Sequence, residues 1–247
     1  KVLTVDLHQK LLLYEIKASD KIPPPEVALK IDNAIIGTLG NILSIIGKAK
    51  SRKSFFIGMA VSASVAKNNV ISVLTNELPN TQRNVLYFDT EQGKYHVQKA
   101  LKRICTITGV SEPTNLNTYG LRALNPIERA ELIEFAIYNT PNLGIVFIDG
   151  IKDLITSIND EEQATMIVSK LMKWSEEKNI LIVTVLHQNK GDNNARGHIG
   201  TELNNKAETV LSVSKSSDNE MVSIVQAEMC RNIEPESFAF EIDQNGI

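Results

Sequence analysis

The sequence predicts an α/β fold: a mainly parallel central sheet flanked by helices, with antiparallel edge strands at the C-terminal end. Three observations predict it. Residues 41–46, 85–88, 143–148 and 180–186 are short, continuous apolar runs, the mark of strands buried on both faces. Longer helical patterns separate them. The tail, residues 209–242, alternates apolar and polar positions, as hairpins at a sheet edge do.

Each element has a local reason. Residues 1–36 read as a lead-in and 37–247 as the main domain. Pro23-Pro24-Pro25 is a stiff joint, because consecutive prolines stop helices and favour the polyproline conformation. Residues 11–18 before it suit a short helix or strand docked from outside. NILSII at 41–46 is a β-branched strand, and residues 53–66, apolar and small throughout, form a helix laid on a sheet. Residues 70–78 fit either an inserted hairpin or the frayed end of that helix. VLYF at 85–88 is a second strand, followed by a helix over 94–108 with basic residues outward. Asn125 and Pro126 supply an N-cap and a first-turn proline for a helix reaching residue 139. LGIVFI at 143–148 is the third strand. The helix over 160–178 carries acids in its first turn, where the helix dipole favours them. ILIVTVL at 180–186 is the fourth strand.

Composition narrows the function classes. The 247 residues, 43% hydrophobic and 22% charged, are enough for a large core and exclude disorder. No apolar run approaches the ~20 residues of a membrane span. Two cysteines, Cys105 and Cys230, exclude a disulfide framework and a zinc ribbon. A cytoplasmic location is expected, and the missing initial Met leaves room for further domains upstream. A net charge of −3 excludes a strongly basic nucleic-acid coat and permits a local basic patch.

The strongest chemical signal is Gly47-Lys48-Ala49-Lys50-Ser51-Arg52-Lys53-Ser54. It follows a buried strand and opens a helix, where backbone amides can cradle phosphate. Lys53 stands where such a loop needs a lysine for the β- and γ-phosphates. Ser54 stands where it needs a hydroxyl for magnesium. Arg52 occupies a position where the pattern expects glycine. It either distorts the loop or adds a phosphate contact. The bland alternative is a solvated basic turn. Asp89-Thr90-Glu91-Gln92 ends the second strand, so Glu91 is a candidate to orient a water, and a capping turn is the alternative. The third strand runs into Asp149, a candidate for the magnesium shell, whereas Asp153 reads as surface charge. The fourth runs into His187-Gln188-Asn189-Lys190, a polar pair able to sense a phosphate, with His187 best read as a hydrogen-bonded strand-end residue.

The order of these motifs, with Ala195-Arg196-Gly197 after them, resembles the RecA-like P-loop ATPases, and within them the RepA/DnaB-type hexameric helicase group. RepA-like AAA ATPase domains of plasmids and mobile elements are the closest in look. The resemblance spans about residues 36–242. It implies that Lys53 and Ser54 bind ATP and Mg2+, that Glu91 activates water, and that Asp149 is the Walker B carboxylate. It implies that Gln188 couples the γ-phosphate to residues 191–200, a DNA-facing loop with Lys190 and Arg196 as phosphate contacts. Arg231 matches an arginine finger, and Met229 replaces the lysine of that motif. The implied protein is a homo-oligomeric ring, a hexamer in the manner of the group, that couples ATP hydrolysis to single-stranded DNA in replication or mobilisation. The other reading is a nucleotide-binding switch or assembly module with little hydrolysis. A small-molecule kinase is disfavoured, since no basic lid segment is present.

Overall fold

The computed structural model describes residues 6–189 and 195–243. Helix α1 (Leu7–Leu12) is capped by the Asp6 carboxylate and buries none of its residues; positions 6–26 are exposed throughout. A hairpin follows, β1 (Val27–Ile31) and β2 (Ala34–Thr38), turning at Asp32 with φ 49°. Then come β3 (Ile42–Gly47), α2 (Lys53–Val65), β4 (Leu74–Asn76), β5 (Asn84–Asp89), α3 (Lys94–Thr108) and β6 (Leu116–Gly120). Next are α4 (Pro126–Asn139), β7 (Leu143–Asp149), a single 3-10 turn (Ile151–Leu154), α5 (Glu161–Lys178) and β8 (Leu181–His187). The chain closes with α6 (Gly197–Lys206), β9 (Thr209–Lys215), β10 (Val222–Cys230) and β11 (Phe238–Glu241).

The main sheet runs β11-β10-β9-β3-β8-β7-β5-β6. Every pairing from β9 to β6 is parallel, and β10 and β11 add antiparallel at the edge. Alternate residues of each central strand enter two separate cores, which is why the runs are apolar without a polar face. Ile42, Ile46, Val146, Ile148 and Ile182 pack with α4, α5 and α6 around the fully buried Trp174. Leu43, Ile45, Ile145, Phe147 and Val183 pack on the other side against Phe56, Ile57 and Val61 of α2.

The small sheet β2-β1-β4 lies on this second side. Ala28, Leu29, Ile31 and Ile36 belong to the same core as α2, so the expected boundary at residue 36 falls inside β2. Residues 70–78 contain β4, which pairs antiparallel with β1 and joins this hairpin. Residues 11–18, read as a docked element, are exposed; the helix is earlier and shorter. The tail also departs from a purely antiparallel reading, because β9 pairs parallel with β3 before the hairpins begin. The Asn125 cap holds as a full capping box with Glu128, and Asp160 caps α5. No helix among the described residues is long and apolar enough to cross a membrane.

Candidate functional site

The parallel sheet brings the carboxyl ends of β3, β5, β7 and β8 side by side. Gly47 is in register with His187, and Asp89 with Asp149. This is where an open α/β sheet places ligands. A cavity of about 420 Å³ opens there, against the first turn of α2. That end of a helix holds amide donors with no intrahelical partner.

The loop between β3 and α2 is shaped by its residues. A Cβ on Gly47 would lie 2.4 Å from the Val213 carbonyl, so only glycine fits at the exit of β3. Lys50 and Arg52 both take left-handed backbone, with φ of 63° and 71°. Arg52 therefore adopts the conformation that glycine would adopt without a Cβ cost. Its guanidinium turns to the start of β10, donating to the Met221 carbonyl at 2.6 Å and to Ser223 Oγ at 3.3 Å. Of the two roles open to it, the loop distortion is absorbed by this anchor.

Lys53 is buried and donates to the carbonyls of Gly47 (2.8 Å) and Lys48 (2.9 Å). Burial draws its ammonium down to about 8, against the attraction of Asp149 and Glu91. Ser54 donates its hydroxyl to Asp149 Oδ2 at 2.9 Å. Burial pushes the Asp149 carboxyl up to about 7, and the nearby Asp89 charge adds to the rise. The hydroxyl and carboxylate are hard oxygen donors that meet at one point, which fits a magnesium shell completed by phosphate and water. Among the described residues no cluster of three or more His, Cys, Asp or Glu side chains could hold a metal by itself.

Glu91 faces the same cavity. His187 Nε2 lies 3.5 Å from Glu91 Oε1, and Lys152 Nζ lies 3.4 Å from the same oxygen. The bond from His187 holds the Glu91 carboxyl at about 2, against its own burial, and the Lys152 charge helps. Lys53 Nζ lies 3.3 Å from His187 Nδ1. An ammonium can only donate, so Nδ1 is the acceptor and the imidazole proton sits on Nε2, toward Glu91. Asp89 does not compete for this role. Its Oδ1 accepts from the amides of Glu91 and Gln92, and its Oδ2 from the Gln92 side chain, so it caps the turn that presents Glu91.

The amide of Gln188 donates to the Gly47 carbonyl at 3.0 Å, and Gln188 pairs with Ala195 in an isolated bridge. Gln188 and Ala195 are thereby tied to Gly47, where the β3–α2 loop begins. Arg196 is exposed at the N-cap of α6, its amide donating to the His187 carbonyl. Lys190 lies outside the described residues. Arg231 follows the end of β10, where Cys230 pairs with Thr209; that is the opposite end of the strands from Gly47. Its guanidinium donates to the Lys206 carbonyl at 3.3 Å. Arg231 and Met229 are thus not brought to this chain's own cavity.

Two residues escaped the sequence reading. Asp153 is not a plain surface charge, since its carboxylate accepts from Thr90 Oγ1 at 3.0 Å. Lys152 lines the cavity, and no local pattern signalled it.

Comparison with known proteins agrees with this construction. A family model described as an AAA domain matches residues 10–193, well over half of the chain. The crystal structure of the RadB recombinase superposes with a TM-score of 0.57 at 13% identity, covering 84% of this chain and 90% of that one. No curated protein sequence matches. The fold is shared with RadB in its mostly parallel sheet and antiparallel edge strands, and the family match runs through both the phosphate loop and Asp149. The chain belongs to the AAA domain family and carries the RecA-like α/β fold that it shares with RadB.

Proposed function

We propose that this domain binds ATP with magnesium in the cavity above α2 and hydrolyses it to act on DNA, as a ring-forming ATPase of the RepA/DnaB type. One observation carries the reading: Ser54 and Asp149 meet at 2.9 Å beside the buried ammonium of Lys53, at the start of α2.

Each residue then has a task. Lys53 exchanges its carbonyl partners for β- and γ-phosphate oxygens. The first-turn amides of α2, with Lys48, Ala49, Lys50 and Ser51 in the loop before them, donate to the same phosphates. Ser54 and Asp149 would hold the magnesium ion, which when bound offsets the charge that builds on the phosphates. Glu91 orients the attacking water and accepts its proton. Gln188, joined to Gly47 through its amide, carries the state of the phosphate site to the following loop. Arg196 and Lys190 on that loop contact the DNA backbone. Arg231 serves the cavity of a neighbouring subunit, because it sits at the far end of its own strands.

A second reading is supported by the hold of His187 and Lys152 on Glu91 and by Met229 at the finger motif. A carboxylate engaged by two partners is a poor base, which suits a nucleotide switch without motor work. ATP binding and turnover, measured across protein concentrations with and without single-stranded DNA, separate the two. The motor reading expects turnover per subunit to rise with concentration and with DNA. Binding without turnover under all conditions selects the switch. Absence of binding removes both.

A further inference from the structure

The 3-10 turn after β7 is held firmly while its lysine is not. Ile151 and Leu154 are buried, the Arg129 guanidinium donates to the Asp153 carbonyl at 2.8 Å, and Thr90 donates to the Asp153 carboxylate. The backbone of Lys152 is thereby fixed at the rim of the cavity. Its side chain is about a third exposed, at 32%, and so is that of Glu91, at 34%. An ion pair this exposed is weak and easily exchanged. Two other cations of the wall are committed differently. Arg52 is anchored to the start of β10, and Lys53 is fastened to loop carbonyls and His187.

The charge balance favours an anion beyond the loop. Lys50, Arg52, Lys53 and Lys152 line the cavity against Glu91 and Asp149, an excess of two positive charges. The Lys152 charge also works against that of Lys53, so the two ammonium groups repel across the space between them. Like charges facing one cavity gain from an anion seated between them.

We propose that Lys152 is a second nucleotide-binding cation of this site: it holds Glu91 as seen here and contacts the terminal phosphate of a bound nucleoside triphosphate. This rests on the ATP-binding reading above. The phosphate competes with Glu91 for one ammonium. Occupancy by a triphosphate, and not by a diphosphate, then loosens one of the two partners restraining the carboxylate. His187 remains as the other. The site thereby distinguishes the two nucleotides through a residue outside the phosphate loop.

The test compares Lys152→Met and Lys152→Arg with the wild-type chain in binding titrations of ADP and of an ATP analogue with a β,γ-imido bridge. Lys152→Met is expected to lose about 10-fold or more in affinity for the triphosphate, the scale of one charge-assisted hydrogen bond. ADP affinity should change by less than about 2-fold, and Lys152→Arg should restore most of the triphosphate affinity. A merely structural lysine would not move the ratio of the two affinities. The inference fails if Lys152→Met keeps the wild-type ratio, or weakens both nucleotides equally. Should the wild type bind neither nucleotide, the ATP-binding reading falls and takes this inference with it. If the wild type binds both and Lys53→Ala binds neither, an unchanged ratio in Lys152→Met removes the Lys152 assignment alone.

Discussion

The Lys53 ammonium and the Nδ1 nitrogen of His187 lie 3.3 Å apart although 134 positions separate them in the chain. The far nitrogen of the same imidazole lies 3.5 Å from Glu91. The phosphate loop, the end of β8 and the turn after β5 are thus linked through one histidine. Whatever draws Lys53 toward a ligand removes a partner from His187, and through it alters the surroundings of Glu91.

Lys53→Ala is expected to lose nucleotide binding by about 100-fold or more, since it removes the charged donor to the phosphates. The fold should persist, because both hydrophobic cores are built without Lys53. Titration with ATP alongside circular dichroism checks both halves. Wild-type affinity in this variant would end the phosphate-loop assignment.

Glu91→Gln should bind ATP and turn it over about 10²- to 10⁴-fold more slowly, the usual worth of a positioned base. Single-turnover hydrolysis at saturating ATP is the measurement. An unaffected rate would exclude Glu91 as the base. Asp89 could not take over, because both its oxygens already accept bonds within its own turn.

Asp149 gives a pH-dependent prediction. Its carboxyl titrates at about 7 in the fold against 3.8 ordinarily, chiefly through burial. Between those values the folded state keeps a proton that the unfolded state has lost, so stability falls as pH rises, and it levels off above about 7. Asp149→Asn has no such group. Its thermal midpoint, relative to wild type without nucleotide, should therefore be higher at pH 8 than at pH 5 by at least about 3 °C, roughly 1 kcal/mol for a chain of this size. An equal difference at both pH values would show that Asp149 is not the group responsible.

Arg52→Gly should leave ATP binding within about 3-fold of wild type. The guanidinium is engaged with Met221 and Ser223, and the backbone is already in the left-handed region that glycine favours. Relief of that strain, about 1 kcal/mol, opposes the loss of the two bonds, so stability should change little. A large loss of binding would instead make Arg52 a phosphate contact.

Arg231 lies too far from its own cavity to serve it, so a ring predicts complementation. Mixtures of Arg231→Ala and Lys53→Ala subunits should recover part of the turnover that each lacks alone, because a junction with an intact cavity can then face an intact arginine. An additive, inactive mixture would argue that Arg231 belongs only to the bond with Lys206.

How far the sequence could be read follows from what each segment shows locally. The four buried strands were legible because burial on both faces leaves continuous apolar runs, and α3 matched its expected bounds of residues 94–108. β6 was missed since Leu-Asn-Thr-Tyr-Gly is polar, half exposed and at the sheet edge, where little burial is demanded. β1 and β2 were folded into the lead-in, although Asp32-Asn33 between two apolar runs is a hairpin signal. Glu91 and Asp149 stood out as candidates by their places at strand ends, and Lys53 and Ser54 by theirs at the start of α2. Lys152 was not, because nothing in its neighbours along the chain differs from an ordinary exposed lysine.

By itself the sequence determined the layered α/β character and marked out the candidate phosphate loop and the acids that follow the strands, since periodicity and strand-end position are local properties. Only the tertiary structure decided the rest: that Arg52 reaches β10, that Asp89 caps a turn while Glu91 faces the cavity, and that Lys152 and His187 converge on one carboxylate. Those relationships depend on the register between strands distant in the chain, and no local pattern encodes a register.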